Sequence, residues 1–225
     1  YALNMSLSDM LFENEYNEIQ LGTLDNKLSE FSSEQLKKVH NLVENIYREN
    51  TVKKNKNKIA FIGLRGAGKS TLGNMLYKEF NTPVFEVSNE IEILGGMNIN
   101  EIIELGGQGM YRRFEYDIVS SFHKNHDNLI LLTGGSIVSE KETYNYLLNN
   151  YFTVWIKASP MEHMSRVLMQ GDSRPMNSNP RAMEDLNNIL NERVSLYSKA
   201  DLIIDTENSS IKESYSKLKL KLFKT

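Results

Sequence analysis

The sequence predicts an α/β fold of three layers, a parallel sheet with helices on both faces, preceded by a helical linker. Three observations predict it. Short apolar runs recur from Lys58 onward, helix-length segments separate them, and a glycine-rich turn, GLRGAGKS at Gly63–Ser70, joins the first run to the first helix. Strands that alternate with helices pair in parallel, because a crossover helix must carry the chain back before the next strand begins.

The elements follow in order. KIAFI (58–62) reads as a buried strand, and the helix over 69–80 turns Leu72, Met75, Leu76 and Phe80 inward. VFEV (84–87), LILLT (129–133), FTVWIKA (152–158) and DLIIDT (201–206) supply further strands, with helices expected over 100–123, 139–149, 160–169, 181–199 and 209–222. Ahead of the sheet, Ser32 to Gln35 carries a capping-box pattern that opens a helix to about Arg48. Its residues Leu36, Val39, Val43 and Ile46 form a narrow apolar seam, which packs either on the main domain or on a second copy in a homodimer. ENTVKKNKNK (49–58) is polar and basic and reads as a linker with solvated lysines.

Composition bounds the function. The chain has 225 residues, 40% hydrophobic and 24% charged, which suffices for an ordinary packed core. The net charge of -3 lacks the positive field of a nucleic-acid binder, so any contact with operator DNA would have to come from a local patch or from residues outside this sequence. With no cysteine there is neither a disulfide nor a zinc–thiolate site, in keeping with a cytoplasmic location. No apolar run approaches the ~20 residues a membrane helix needs, and the four histidines show no metal-ligand spacing. His163 is expected to be packed or at the surface rather than catalytic. Tyr111, Trp155, Met161, Met164 and Met169 are assigned to the core, a subset being able to line an aromatic pocket.

The spacing of Gly63, four residues, then Gly68-Lys69-Ser70 is that of a P-loop, in which main-chain N–H groups and a helix N-terminus face an anion. The expected phosphate-binding set is Gly63, Arg65, Gly66, Ala67, Gly68, Lys69, Ser70 and Thr71, with Arg166 and Arg174 reaching in from elsewhere. Lys69 would meet the outer phosphates of ATP or ADP, and Ser70 would offer its hydroxyl to Mg²⁺. Arginines suit the partners of such a site, because a planar guanidinium grips carboxylate or phosphate with two parallel N–H bonds.

From Lys58 to about Leu222 the chain resembles shikimate kinase. The likeness rests on the P-loop, Ile91-Glu92, GQGMYRRFE (107–115), TGGS (133–136), Arg174-Pro175 and ERVSLY (192–197). The resemblance implies a shikimate-kinase-like P-loop NTPase fold over 58–225 and an acceptor pocket of Glu86, Ser88, Arg112, Gly134, Gly135, Ser136 and Arg193, with Arg174 on a mobile lid. Catalysis would then fall to Lys69, Glu86 and Arg174, with Glu86 helping Ser70 to hold Mg²⁺ through water. Two positions depart from the pattern. The kinases end their second strand in Asp-x-Asp, where this chain reads Glu86-Val87-Ser88, and their third loop glycine is Ser136 here. Serine cannot take a proton from a hydroxyl as a carboxylate does.

A second resemblance accounts for those departures differently. YALNMSLSDMLF at the start is similar to the last helix of a repressor-type helix-turn-helix domain, and TVWIKASPMEHMSRVLMQGDSRPMNSNPRAMEDLNNILNERVSLYSKAD (153–201) looks like the benzoyl-CoA-responsive transcriptional regulators. That resemblance implies residues 1–14 as a remnant of the DNA-reading domain, 15–57 as linker, and 58–225 as an effector domain that binds an aromatic acyl-CoA. On this expectation the chain senses a ligand; the alternative is a small-molecule kinase that transfers the γ-phosphoryl group of ATP to a hydroxyl.

Overall fold

The computed structural model describes residues 27–50, 56–169 and 181–223. The chain divides into two units, Tyr1–Lys53 and Lys54–Thr225. The first contains helix α1 (Ser33–Asn50). Its capping box is closed in both directions: the Ser32 N–H donates to Gln35 Oε1 at 2.9 Å, and the Gln35 N–H donates to Ser32 Oγ at 3.3 Å. The helix-turn-helix-like stretch at 1–14 lies outside the described residues.

The second unit holds strands β1 (Lys58–Ile62), β2 (Val84–Glu86), β3 (Leu129–Leu132), β4 (Phe152–Lys157) and β5 (Leu202–Asp205). They form one parallel sheet in the order β2-β3-β1-β4-β5. Successive side chains of a strand point to opposite faces, and β1 feeds two cores accordingly. Ala60 and Ile62 join Leu129 and Leu131 in one; Ile59 and Phe61 join Ile130, Leu132, Val154 and Ile156 in the other. Apolar burial on both faces is what makes these runs continuous rather than alternating.

Helices α2 (Lys69–Phe80), α3 (Val87–Gly95), α4 (Ile99–Asn125), α5 (Lys141–Asn150), α6 (Pro160–Met169), α7 (Ala182–Tyr197) and α8 (Ile211–Phe223) cover the sheet. A single 3-10 turn, Ile137–Ser139, precedes α5. Helix α3 is not among the expected elements: the run VFEV stops at Glu86 and Val87 becomes the buried first residue of a helix. Helix α4 opens on an Asn98–Glu101 capping box and kinks at Gly107, whose φ of 69° and ψ of -179° interrupt the helical path. The kink marks the start of the GQGMYRRFE segment.

Three apolar assignments are corrected. Phe80 is 41% exposed rather than inward, because it is the last residue of α2 and leans on Phe223 of α8 with ring centroids 4.5 Å apart. Met161 and Met169 stand at the two ends of α6 and are 70% and 82% exposed, while Met164 and Trp155 are core. Among the described residues no helix is long and apolar enough to cross a membrane.

Candidate active site

Strand β1 runs up the middle of the sheet, and its C-terminal end delivers the glycine-rich turn to the mouth between β3 and β4. Gly63 has φ 136°, and a Cβ there would stand 2.5 Å from the Ile156 carbonyl oxygen of β4, so both its conformation and its closeness to the next strand require glycine. Gly68 occupies the N-cap of α2, and no side chain caps the helix. The first-turn N–H groups of α2 are therefore left for an anion.

Lys69 folds back over this turn, donating from Nζ to the Gly63 carbonyl at 2.7 Å and to the Leu64 carbonyl at 3.0 Å. Burial lowers its pKa to about 8, and the nearby Glu86 carboxylate opposes that shift. A desolvated ammonium with only carbonyl partners gains when phosphate oxygens replace them. The turn is pinned from below by His163 of α6, which is 2% exposed and donates from Nδ1 to the Arg65 carbonyl at 2.9 Å. Burial holds the His163 pKa below its ordinary value, so the ring stays neutral and structural, as expected for it. Arg65 itself is exposed on the outside of the turn.

Beside the turn opens a cleft of about 260 Å³, with Gly66, Ala67, Gly68 and Thr71 on one side and Met169, Thr206 and Ile211 on the other. Arg166 crosses its floor: Nη1 donates to the Ala67 carbonyl at 3.3 Å and to Thr206 Oγ1 at 3.2 Å, and Nη2 pairs with Glu162 at 3.1 Å. The cleft thus joins the P-loop to the end of β5, where a nucleotide base and ribose could lie.

The loop after β3 packs on the P-loop at Gly135 and is held there by side chains of α4 and α7. Arg112 is partly buried, whereas its neighbour Arg113 faces solvent. Arg112 Nη1 donates to Glu115 Oε2 at 2.8 Å, Nη2 to Ser136 Oγ at 3.0 Å, and Nε pairs with Glu140 at 3.0 Å. Glu115 is 0% exposed, its Oε1 fully buried with the Tyr111 phenol against the carboxylate. Burial raises its pKa against the pull of Arg112. The Tyr111 phenol beside it is pushed up to about 12, first by burial and then by the Glu115 charge. Gly135 packs so closely on the P-loop that an added Cβ would lie 3.0 Å from Leu64 Cα. Its carbonyl accepts from Tyr197 Oη at 2.6 Å and from Arg193 Nη1 at 3.2 Å. Arg193 therefore braces this loop. Glu86 ends β2 exposed, and Ser88 follows it half-buried on α3.

Gly63 to Thr71, Glu86 and Gly134 to Ser136 are thus carried to the C-terminal ends of three neighbouring strands, β1, β2 and β3, and Arg166 of α6 lines the cleft beside the P-loop. Arg174 lies outside the described residues. Glu115, Glu140, Tyr197 and Thr206 had no assigned role. Glu115 was available as a carboxylate one helical turn beyond Arg112, Thr206 as the residue closing a strand end, and Tyr197 as the last residue of ERVSLY; Glu140 left no local signal.

The shikimate kinase family profile matches residues 65–222. A shikimate kinase of Buchnera aphidicola is 32% identical over 158 residues, 70% of this chain and 91% of the relative. One of Aquifex aeolicus is 29% identical over 150 residues, 67% of this chain and 87% of the relative. The solved structure of the Acinetobacter baumannii shikimate kinase, described as a complex with shikimate, superposes with a TM-score of 0.64 at 24% identity, covering 75% of this chain and 94% of that one. These findings overturn the expectation of a DNA-linked, acyl-CoA-sensing effector domain. That expectation gave decisive weight to the loss of a carboxylate at Ser88. Phosphoryl transfer proceeds through a loose transition state in which positioning and charge stabilisation dominate, so a missing proton acceptor does not remove the reaction. Ser136 is likewise no obstruction, since its φ of -84° and ψ of -11° suit any residue and its hydroxyl engages Arg112.

Proposed function

The chain belongs to the shikimate kinase family, and from that premise we infer that it is an ATP-dependent phosphotransferase acting on a hydroxyl of a small polar acceptor. The observation that carries this reading is the mouth at the ends of β1, β2 and β3, where an uncapped helix N-terminus and a half-buried, carbonyl-bound lysine stand beside an arginine-lined wall. The P-loop N–H groups and Lys69 would hold the β- and γ-phosphates, and Thr71, Arg166 and Thr206 would border the nucleoside. In the transfer, the bond from phosphorus to the β–γ bridging oxygen breaks as one to the acceptor oxygen forms, and the hydroxyl proton leaves to solvent or to the phosphate.

Mg²⁺ fits the donor set. Among the described residues no three His, Cys, Asp or Glu side chains cluster as a metal cage, and one hydroxyl with one carboxylate suits an ion that keeps most of its waters. Ser70 and Glu86 are the residues that would hold it. Mg²⁺ supplies charge neutralisation between the phosphates. Glu86 also favours the charged form of Lys69 against its burial. Ser88, at the second residue of α3, can hydrogen-bond the acceptor hydroxyl and orient it without taking its proton.

The test is ADP release from ATP and Mg²⁺ in the presence of shikimate and related polyols, with Lys69→Met as control. Acceptor-dependent turnover that collapses in Lys69→Met supports the reading. Acceptor-independent ADP release, equal in both proteins, would refute it.

A further inference from the structure

Resting on that phosphotransferase reading, we propose that His163 is a positioning residue for the transfer: by holding the Arg65 carbonyl, its ring turns the Gly66 N–H towards the phosphates of ATP. A trans peptide unit is planar, so its carbonyl and the N–H of the following residue point in opposite directions. A group that fixes the one fixes the other. His163 donates from Nδ1 to the Arg65 carbonyl at 2.9 Å, and the N–H of that peptide belongs to Gly66. Among the described residues nothing accepts from the Gly66 N–H, which leaves it for an anion.

The same device recurs along the loop. Lys69 takes the Gly63 and Leu64 carbonyls, and Arg166 takes that of Ala67, the peptide whose N–H is Gly68. His163 fills the place between them, and its ring is 2% exposed, so it has no path to solvent as an alternative partner. Helix α6 is close enough to act as a rigid backing: a Cβ on Gly66 would lie 2.8 Å from the His163 carbonyl oxygen and 3.0 Å from Val167 Cγ2. The charged groups facing the ring are Lys69 of α2 with Arg166 and Glu162 of α6, and burial keeps the imidazole neutral among them. It orients the peptide without adding a further cation to the loop. Without the ring the Arg65 carbonyl loses a buried donor. The peptide is then free to rotate and to present an oxygen, rather than an N–H, to the phosphates.

The experiment compares the wild type with His163→Leu, His163→Gln and His163→Asn, reading Kd for ATP with Mg²⁺ by calorimetry and KM for the acceptor by ADP release. Leucine fills the space without a donor, glutamine carries its amide one bond too far, and asparagine places an amide N–H where Nδ1 stood. His163→Leu and His163→Gln are expected to weaken ATP binding about tenfold and His163→Asn to stay within about twofold of the wild type, with KM for the acceptor unchanged in all three. ATP binding as tight in His163→Gln as in the wild type, or as weak in His163→Asn as in His163→Gln, overturns the inference and leaves the transfer reading standing. So does a rise in KM for the acceptor that keeps pace with Kd for ATP, since that marks a general loss of packing. ADP release that no acceptor stimulates in the wild type overturns the transfer reading and this role with it. The pair of amide variants decides the matter even if His163→Leu fails to fold.

Discussion

The phosphate wall of the cleft is made of main chain and the acceptor wall is made of side chains. On the first, carbonyls of Gly63 and Leu64 hold Lys69, and N–H groups at the start of α2 face outward. On the second, Arg112 is held by Glu115, Ser136 and Glu140, drawn from one neighbouring turn and two separate segments. A main-chain cradle tolerates any side chains that permit its turns, so it keeps its chemistry while the sequence around it drifts. A side-chain wall changes its chemistry with each substitution. Nucleotide recognition and acceptor choice can therefore diverge within one fold.

The largest effect expected on the phosphate side comes from Lys69→Met, which removes the charge that meets the transferring group. A fall in kcat of about 10²–10³-fold is expected, as for other preorganised donors to a developing anion, with KM for the acceptor unchanged. The same residue predicts a pH dependence. Its folded pKa is depressed to about 8 from an ordinary 10.5, so the stability that Lys69 contributes is present at high pH and is lost as pH falls through 8. Bound phosphate favours the charged form, so ATP affinity should weaken as pH rises above 8. Calorimetry in buffers of different ionisation enthalpy should show proton uptake on binding, absent in Lys69→Met.

On the acceptor side the largest effect falls on stability. Glu115→Ala strips a fully buried partner from Arg112 and should cost about 3 kcal/mol, read as a lowered Tm. Glu115→Gln keeps the shape and separates charge from packing. Burial raises the Glu115 pKa above the ordinary carboxylate range. Stability from this group is thus fully present at pH below the ordinary value and is lost as pH rises through the raised one. Glutamine carries no such proton, so the variant should show a flatter decline of Tm over that interval. An unchanged slope would mean that Glu115 titrates normally.

The two walls also differed in how far the residues announced them. The P-loop is local: positive φ at Gly63 and Gly68 demands glycine at set spacings, and the whole cradle falls within nine residues from Gly63 to Thr71. The strands were legible from continuous apolar runs, because burial on both faces leaves no polar interruptions. Helix α3 was not, since Val87 continues a β-like run and only tertiary packing turns it into a helix. The kink at Gly107 and the outward Met161 and Met169 likewise depend on what lies opposite. The bond from Arg112 to Ser136 spans 24 residues, a separation set by the crossover from α4 through β3 and by no periodicity. Function was misjudged for the same reason. Ser88 and Ser136 were read as losses at single positions, and the compensating contacts of Arg112 were invisible until the chain was folded.

Gly135→Ala tests the seam where the walls meet. A methyl group there would press on Leu64 Cα at 3.0 Å and its side chain at 2.9 Å. Backbone in contact with backbone cannot step aside, so about 1–3 kcal/mol of destabilisation is expected. Because the strain falls on the P-loop, KM for ATP should rise along with KM for the acceptor. A rise confined to the acceptor would show that the loop after β3 yields without disturbing the phosphate wall.

The smallest expected effect belongs to Tyr197→Phe. The phenol donates to the Gly135 carbonyl at 2.6 Å, and the ring stacks on Trp155 with centroids 5.3 Å apart. Phenylalanine preserves the stacking and removes only the hydrogen bond, and Arg193 remains as a second donor to the same carbonyl. A neutral hydrogen bond contributes about 1 kcal/mol net, and with the carbonyl still satisfied the loss should be smaller. Tm should move by no more than a few degrees. What should change is the acceptor: Arg193 would be committed wholly to Gly135, the loop would loosen, and KM for the acceptor should rise a few-fold while KM for ATP does not. That split is the signature of an acceptor wall held by side chains from α7. A matching rise in KM for ATP would instead make Tyr197 a brace for both walls.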